Sequence, residues 1–509
     1  SQTILRNLDE QVYIEVYLTG DLNTSFKRLE RSIREKLEDF SLYGGQNIQY
    51  RFVNPDDIAD PKTRNEFYQD LAKKGLSPTN LYETVQGKKV QKTIVPGVVI
   101  SYRNKEKGVL LLKGNKAGSP SEQLNQSIEN VEYELISAIQ RISIRQKPLL
   151  AFIEGYGQVP PQKTFDFFNS LSEQYIIDRV NLKKKSSLLD YDAIILAQPK
   201  SRFQEAERYK IDQFIMHGGK ALFFIDKVQI ELDSIAINGA YAFGYDLNID
   251  DMLFRYGVRI NLDLVQDQQA GSLLINVGKF GDKPNLQKIP FPYYPVLNTF
   301  STHPIVKNLD AVYTRFVSTI DTVKAEGVRK IPLVFTSKYT RIKKCPTLIE
   351  LNELRQELDP KLYTQEHLPV AYLLEGNFKS IYHFAVRDVN EDEFLEKSKE
   401  TKIIVCADGD FLHNELNRRD GSPLPLGYDQ LNGRTFMNKE LIVNALTYLL
   451  DENGIIKARS NEVKMRPLDK FRIQEERTEW QAFNLLVPLG LIIAFGLIKF
   501  WLRKKNGIS

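Results

Sequence analysis

The chain has 509 residues, of which 42% are hydrophobic and 26% are charged, with 29 glycines and 22 prolines. This composition is globular, so it excludes a collagen-like chain, a disulfide-stabilised mini-protein and wholesale disorder. The 69 basic and 65 acidic residues leave a net charge of only +4. Because a surface for nucleic acid needs a clustered excess of cations, we expect no nucleic-acid partner. At about 150 residues per domain, the length allows roughly three domains.

Histidine and cysteine are too sparse to predict a metal centre or a disulfide framework. The five histidines are scattered and form no HExxH motif, and Cys345 and Cys406 form no CxxC pair. A zinc site is therefore excluded, and we predict no metal and no cofactor. The cysteine count fits either the cytoplasm or a bacterial periplasm.

Residues 1–145 alternate strand and helix patterns and predict a thioredoxin-like α/β domain. A β-branched and aromatic run at 12–18 precedes an amphipathic helix pattern at 25–42. A strand at 47–53, a helix at 61–74, a hairpin at 96–102 and 107–112, and a long helix at 121–144 follow. The order β-α-β-α-β-β resembles the thioredoxin fold. The turn at 20–25 carries no cysteine, so thiol chemistry is excluded.

Residues 148–452 predict a second α/β domain built on a doubly wound parallel sheet. Continuous apolar strand patterns at 149–154, 191–197 and 221–226 alternate with helix patterns at 160–175 and 202–217. Strands that are apolar along their whole length are expected in a parallel sheet covered by helices on both faces. The pattern continues with the end of a helix at 252–256 and a strand at 259–266.

The helical rhythm fades between about 271 and 389, which predicts a β-rich insertion. Short apolar runs at 331–336 and 370–374 lie there among proline, glycine and asparagine. A buried strand pattern at 402–406 and a helix pattern at 438–450 then return. The second domain is therefore predicted to be discontinuous, and the charged residues 453–479 predict a linker.

The C-terminal segment predicts a transmembrane helix at 480–502. Its uncharged run at 485–498 reads LLVPLGLIIAFGLI, and the two tryptophans of the chain, Trp480 and Trp501, flank it. Twenty-one residues separate them, and at about 1.5 Å per helical residue this spans roughly 31 Å. That length matches a hydrocarbon core of about 30 Å with an aromatic residue at each interface. A buried core helix is the alternative, because the uncharged run is short.

The charges after this segment predict how the chain is oriented in the membrane. Arg503, Lys504 and Lys505 directly follow the predicted helix 480–502. The positive-inside rule places residues 503–509 in the cytoplasm, and the bulk of the chain on the other side of the inner membrane. Export of so large a domain needs an upstream signal or membrane helix, which we expect before Ser1.

A glycine-rich turn follows the predicted strand 149–154 and is a candidate ligand crevice. It consists of Gly155, Tyr156, Gly157 and Gln158. The turn approaches the dinucleotide fingerprint, but Pro160 replaces the third glycine. An ordinary strand-to-helix turn is the structural alternative. A ligand crevice is the functional one, because open sheets bind ligands at strand ends.

Asp408 and Asp410 form a candidate carboxylate pair after the predicted strand 402–406. Such a pair could hold Mg²⁺ or supply a nucleophile and an acid, but Leu412 stands where aspartate-based phosphatases need a hydroxyl. A turn in which an aspartate caps the next helix is the alternative. No G-x-S-x-G elbow occurs. Gly218-Gly219-Lys220 is not followed by Ser or Thr, so it is not a Walker motif for ATP.

Several stretches resemble the GldG family, the auxiliary subunits of gliding-motility ABC transporters of Bacteroidota. They are 407–429, 438–450, 209–226, 15–23 and the turn at 155–157. The resemblance runs across essentially the full chain and is strongest in the C-terminal block. It implies an inner-membrane protein with a large periplasmic domain between two membrane helices, paired with a permease subunit (GldF-like) and an ATPase subunit (GldA-like).

The resemblance also implies a central unit akin to class I glutamine amidotransferases without the catalytic cysteine. The turn Asp226-Lys227 agrees with that expectation, because it has neither Cys nor Ser. Relatives carry His and Glu where this chain has Tyr156 and Gln158, so a role of those polar residues in relatives is not expected here. No catalytic residue follows from the resemblance.

These observations predict a non-enzymatic, membrane-anchored periplasmic subunit of an ABC transporter complex required for gliding motility or surface-protein export. The bilayer and the permease helices would contact the C-terminal helix, with Gly490 and Gly496 as positions of close approach. A periplasmic or envelope protein is a further candidate partner. Two alternatives stay open: a ligand-binding module at the Tyr156 turn, and a membrane-tethered hydrolase that uses Asp408 and Asp410.

Overall fold

The computed structural model describes most of the chain. The described residues are 1–85, 88–113, 120–144, 146–157, 159–230, 239–280, 283–351, 359–382, 394–451, 454–460 and scattered positions between 486 and 499. The chain divides into two compact units, Ser1–Asn461 and Glu462–Ser509. The strands and the candidate site described below all lie in the first unit.

The described α-helices vary in length from 5 to 24 residues. They are α1 Gln2–Arg6, α2 Thr24–Gly44, α3 Pro61–Lys73, α4 Pro120–Ser143, α5 Phe165–Leu171, α6 Glu205–Met216, α7 Asp250–Tyr256 and α8 Asn438–Leu450. In α2, the side chain of Asn23 accepts a hydrogen bond from the N–H of Phe26 and caps the first turn. Its buried residues Leu29, Ile33, Leu37 and Phe40 recur at spacings of three and four, so one face of α2 packs on the core.

The N-terminal part of the chain folds around a four-stranded mixed sheet. Its strands are β1 Val12–Val16, β2 Ile48–Phe52, β5 Gly97–Tyr102 and β6 Lys105–Leu110, in the order β2-β1-β5-β6. Strand β1 is parallel to β2 and antiparallel to β5, and β5 is antiparallel to β6. The separate hairpin of β3 Thr79–Val85 and β4 Lys88–Ile94 precedes β5. The predicted order of elements is therefore present, with this hairpin added.

The central sheet has eight strands and is mixed. Its parallel part consists of β7 Leu149–Glu154, β8 Ile176–Asn181, β9 Ala193–Ala197, β10 Lys220–Phe224 and β24 Thr401–Cys406. Its antiparallel edge consists of β17 Thr299–Phe300, β20 Val328–Phe335 and β23 Pro369–Gly376. The order across the sheet is β17-β20-β23-β24-β10-β9-β7-β8.

Smaller sheets and ladders surround this centre. Their strands are β11 Val228–Gln229, β12 Ala240–Gly244, β13 Val258–Ile260, β14 Asp263–Asp267, β15 Ala270–Phe280, β16 Lys283–Leu297, β18 Val312–Tyr313, β19 Ile320–Thr322, β21 Thr340–Lys344, β22 Thr347–Ile349, β25 Tyr428–Asp429 and β26 Arg434–Thr435. The long antiparallel pair β15–β16 dominates this region. Strands make up much of the described part of residues 271–389, and the bounds of the predicted insertion stay a prediction.

The structure corrects two details of the predicted central sheet. The sheet is not all parallel, because β17, β20 and β23 join it as antiparallel strands. These three strands come from the predicted insertion, so part of that region belongs to the central sheet itself. Their buried apolar residues, such as Leu333 and Leu373, complete the same hydrophobic layer as the parallel strands. Antiparallel edge strands of this kind are common on otherwise parallel sheets.

Hydrophobic packing is continuous through the first unit. One cluster of buried side chains runs from Ile4 to Ile456 and includes residues of both the four-stranded and the central sheet. A second cluster covers the opposite face of the central sheet with α6 and α7. The predicted domain boundaries, at 145–148 and at 452, stay predictions.

The predicted membrane segment falls mostly outside the described residues. Trp480, Trp501, Arg503, Lys504 and Lys505 all lie outside them. Across the positions that are described, no helix is both long and apolar enough to cross a bilayer. The transmembrane helix at 480–502 therefore stays a prediction.

Candidate functional site

The carboxyl ends of the parallel strands bring together residues that are distant in sequence. Gln198 follows β9, Asp226 follows β10, and Asp408 and Asp410 follow β24. Strands β9, β10 and β24 are neighbours and run in the same direction, so their carboxyl ends meet at one edge of the sheet. Open parallel sheets usually bind their ligands at this edge.

Three aspartates cluster at this edge. Asp226, Asp408 and Asp410 each place one carboxylate oxygen within 4.8 Å of the other two. Asp408 is fully buried, whereas Asp226 and Asp410 are half-buried. Three carboxylates at this separation are a ligand set that a divalent cation could use. The hydrogen bonds that each oxygen already makes show whether the cluster fits a metal site or a structural turn.

Main-chain and amide donors occupy the oxygens of the two inner aspartates. Asp408 accepts hydrogen bonds from the N–H of Asp410 at 2.6 Å and the N–H of Arg315 at 2.8 Å. Asp226 accepts from the N–H of Gly409 at 2.5 Å and from Nε2 of Gln198 at 2.6 Å. These contacts join the ends of three strands. The geometry therefore fits a structural turn better than an open metal site.

The turn requires glycine at position 409. A Cβ added to Gly409 would lie 2.5 Å from Cβ of Gln198, closer than side chains approach. The missing side chain lets the turn after β24 approach the turn after β9, and so lets the Gly409 N–H reach Asp226.

Burial and crowding separate the pKa values of the three carboxyl groups. Burial, together with the charge of Asp410, raises the pKa of Asp226 to about 7. Burial, followed by the charges of Asp410 and Asp226, raises the pKa of Asp408 well above its usual value. Burial opposes ionisation of Asp410 as well, but His413 and the cations Arg315 and Lys163 hold its pKa below the usual value. Asp410 is therefore the ionised member of the cluster.

A pocket of about 230 Å³ opens beside Asp410. Lys163, Arg315, His413 and Glu415 contribute to its wall together with Asp410. Nδ1 of His413 lies 2.7 Å from Oδ1 of Asp410, and Nη2 of Arg315 donates to Oε1 of Glu415 at 2.6 Å. Both carboxylates of this wall are therefore already paired with a basic side chain.

The side chain of the first residue of α8 holds part of the pocket wall in place. Asn438 at the start of α8 is buried, and its amide Nδ2 donates to the carbonyl of Tyr313 at 2.8 Å while its Oδ1 accepts from the N–H of Tyr313 at 2.9 Å. The ring of Tyr313 stacks on Phe436 with centroids 5.2 Å apart. Arg315 lies over the Tyr313 ring, with its guanidinium carbon 5.3 Å from the centroid. The position of Arg315 is thus set by the packing behind it.

In the described part of the glycine-rich turn, residues 155–157, the side chain of Tyr156 lies in the core. The Tyr156 side chain is 1% exposed and its ring lies 4.0 Å from that of Phe203, within the hydrophobic core. Burial and the nearby Glu207 raise its pKa. Gly155 and Gly157 are exposed and adopt positive φ, as an ordinary turn requires, and Gln158 lies outside the described residues. Tyr156 is therefore a core side chain.

The two predicted helix-packing glycines lie in described positions of the second unit. Gly490 and Gly496 are helical and exposed, and a Cβ added to either would meet no atom of a described residue within 4 Å.

The sequence pattern predicts Asp408 and Asp410 as a pair but does not predict their neighbours. It indicates Asp226 only as part of a turn without Cys or Ser, and it does not single out Gln198, Arg315 or His413. The sequence does offer one signal, because an apolar strand pattern ends at or just before each of the segments 197–198, 225–226 and 407–410. Had the three strands been placed side by side in a parallel sheet, their ends would have been expected to meet.

Comparison with protein families gives two matches. The family described as "ABC-type uncharacterized transport system", a family of auxiliary ABC-transport components, matches residues 147–445, more than half of the chain. A domain of unknown function, DUF7088, matches residues 1–101. No curated protein matches the chain.

Solved structures show only distant likeness. The mmIFT52 N-terminal domain is 14% identical, with a TM-score of 0.33, and the alignment covers 60% of this chain and 98% of that one. A ThuA-like protein from Parabacteroides merdae ATCC 43184 is 12% identical, with a TM-score of 0.28, covering 64% and 94%. At these scores neither structure informs the fold or the function.

Proposed function

The chain belongs to the family described as an ABC-type uncharacterized transport system, and from this membership we propose that it is a non-catalytic, membrane-anchored subunit of an ABC transporter that supports gliding motility or surface-protein export. The observation that carries the proposal is the family match over residues 147–445, which contains the whole central sheet and the strand-end cluster. Its partners are a GldF-like permease subunit and a GldA-like ATPase subunit, and ATP is hydrolysed by the latter.

The chemistry of the cysteines supports a non-catalytic role. Cys406 is buried in β24, and burial raises the pKa of its thiol. Burial also raises the pKa of the Cys345 thiol, to about 11. A nucleophilic cysteine needs a lowered pKa, so neither thiol is prepared for catalysis. This agrees with the amidotransferase-like sheet without a catalytic cysteine that the resemblance implies.

The strand-end cluster also favours a non-catalytic role over an aspartate-based hydrolase. A nucleophilic carboxylate must be ionised and accessible, yet Asp408 is buried, its pKa is raised, and both of its oxygens accept main-chain hydrogen bonds. In the described turn, Leu412 also stands where such enzymes need a hydroxyl.

Exposed apolar side chains in the second unit support a membrane anchor at 480–502. Leu486, Ile493, Phe495, Leu497 and Ile498 are each more than half exposed. Large apolar side chains concentrated on one short segment are unfavourable in water, and a bilayer would remove them from water. We place the bulk of the chain in the periplasm and residues 503–509 in the cytoplasm, on the charge pattern alone.

The four-stranded sheet supports a thioredoxin-like unit at 1–145, because the order β2-β1-β5-β6, with β5 antiparallel to its neighbours, is the arrangement that such a unit requires. We propose that this unit contacts a periplasmic or envelope protein.

Purification from membranes tests the assignment. The full chain, carrying an affinity tag, is extracted in mild detergent from its own cells, and the proteins recovered with it are identified by mass spectrometry. We expect a permease and an ATP-binding subunit, both missing from untagged membranes. Recovery of the intact chain without either subunit would contradict the proposal.

A further inference from the structure

The pocket beside Asp410 has the size of a small-molecule site. Its volume is about 230 Å³, which corresponds to about eight water molecules at about 30 Å³ each. A compact polar molecule fits this space.

The wall of the pocket has more positive than negative charge. Lys163, Arg315 and Arg418 line it, against the carboxylates of Asp410 and Glu415. Glu415 is paired with Arg315 and Asp410 with His413. Lys163 and Arg418 are exposed, and in the described part of the chain neither has a carboxylate within 4.0 Å. These two cations are therefore available to an anion that enters the pocket.

Two wall residues also bury polar atoms that lack a partner. Nε2 of His413 and Oε1 of Gln430 are shielded from solvent and form no hydrogen bond with any described residue. A buried polar atom without a hydrogen bond is unfavourable, so each of these atoms would gain from a partner. Both residues line the pocket, so these two atoms belong to its wall.

The chemistry of these atoms specifies what the occupant must offer. Nδ1 of His413 faces Asp410 and carries the proton of that contact, which leaves Nε2 as an acceptor in the neutral ring. Oε1 of Gln430 is an acceptor in either case. A hydroxyl group serves both, because it donates to these atoms and also accepts if the imidazole is protonated.

We propose that this pocket binds a small organic anion that carries hydroxyl groups, of the size of a sugar acid. Its negative charge lies near the exposed cations Lys163 and Arg418, and its hydroxyl groups reach the more buried His413 and Gln430. Binding is measured on the isolated chain, so it succeeds or fails independently of the transporter partners.

Calorimetric titration of the full chain in mild detergent tests this site with three probes. Glucuronate carries both the charge and the hydroxyl groups, glucose carries the hydroxyl groups alone, and inorganic phosphate carries the charge without a carbon ring. We expect glucuronate to bind saturably, and glucose and phosphate to bind at least tenfold more weakly. Absence of glucuronate binding overturns the proposal, and so does equal binding of glucose or of phosphate.

Two adjacent arginines provide a matched pair of variants. Arg418 lines the pocket, whereas its neighbour Arg419 is equally exposed and does not. We expect Arg418→Gln to weaken glucuronate binding about tenfold and Arg419→Gln to change it less than twofold. Equal weakening by the two variants would mean that the anion is attracted by the surface in general, and it overturns the site.

A third variant tests the contact proposed for Gln430. Gln430→Glu keeps the shape and an acceptor oxygen but adds a negative charge beside the predicted hydroxyl groups. We expect glucuronate affinity to fall at least tenfold while the thermal unfolding temperature stays within a few degrees of the parent chain. Unchanged affinity in a folded Gln430→Glu variant contradicts the proposed orientation of the ligand.

Discussion

Asp226, Asp408 and Asp410 show how the surroundings of a carboxyl group decide its role. All three follow strands of one sheet, yet burial raises the pKa of the first two, whereas His413 and nearby cations lower that of the third. The inner pair binds main-chain donors and holds the strand ends together. The outer member faces the pocket. The aspartate motif is therefore better explained as a structural turn in which Asp410 alone is ionised.

Replacing Asp226 should change how stability depends on pH. Its pKa is about 7 in the folded chain against an ordinary 3.8. A raised pKa contributes stability that is fully present below about pH 4 and is lost as the pH rises through about 7. Asp226→Asn removes that dependence. The unfolding free energy of the variant, relative to that of the parent chain, should therefore increase from pH 5 to pH 8.

Urea unfolding at several pH values measures this effect, with Asp190→Asn as the control, because Asp190 is an exposed aspartate far from the cluster in sequence. Curves for Asp226→Asn and the parent chain that run parallel from pH 5 to pH 8 would show that Asp226 has no raised pKa.

The core position of Tyr156 gives a second prediction at the residue scale. Tyr156 is 1% exposed and packs on Phe203. Tyr156→Ala should therefore cost about 3–5 kcal/mol of unfolding free energy, whereas Tyr156→Phe keeps the ring and should cost much less. Urea unfolding of the two variants checks this. If Tyr156→Ala kept full stability and instead lost binding of a small ligand, the crevice interpretation would be restored.

At the scale of elements, the sequence predicted the strands and helices with strong internal patterns. β7 and α8 have the bounds expected from their apolar runs, Leu149–Glu154 and Asn438–Leu450. β8 was not predicted, because this edge strand is largely exposed and Ile176 is one of its solvent-facing residues. The partnership of β20 and β23 with the central sheet was also missed, because periodicity shows that a strand exists but not which strand it pairs with.

The site was predicted only in part for the same reason. Asp410 and His413 are three residues apart and were within reach of sequence reasoning, whereas Gln198, Asp226 and Asp408 meet across as many as 210 positions of the chain. Only the order of the strands in the sheet brings them together. A glycine without a side chain at 409 completes the contact.

Asn438 should be the residue that joins α8 to the wall of the pocket. The oxygen of its side-chain amide accepts from the N–H of Tyr313, the nitrogen donates to the carbonyl of Tyr313, and the residue is buried. Asn438→Ala leaves these main-chain groups without partners and should cost about 1–3 kcal/mol of unfolding free energy. Glu440→Ala, in the same first turn but exposed, is the control and should cost little. Equal losses in the two variants, measured by urea unfolding, would contradict this role.

The C-terminal segment should lose its membrane association when charges enter its centre. In a membrane helix, a central arginine costs about 2.5–3.5 kcal/mol. We expect Ile493→Arg combined with Leu497→Arg to leave a C-terminal tag on the periplasmic side, where added protease removes it from spheroplasts, whereas Ile493→Leu keeps the tag protected in the cytoplasm. Immunoblotting of the tag measures this. A tag that stays protected in the double variant would argue against a spanning helix at 480–502.

At the scale of the whole molecule, the chain combines an α/β unit of auxiliary ABC-transport type with a C-terminal apolar segment. The first unit has a continuous core and a strand-end pocket. In the proposed complex the ATPase subunit supplies energy, and this unit transmits the resulting change to an envelope partner or to a ligand in its pocket.

Reciprocal purification is the measurement that tests this central claim most directly. The tag is placed on the ATP-binding subunit recovered with the chain, and the subunits of the detergent-extracted complex are quantified by mass spectrometry after a high-salt wash. We predict that the present chain remains, in a fixed ratio to the permease. Its absence from that complex, or its removal by salt while the permease stays, would contradict its assignment as a transporter subunit.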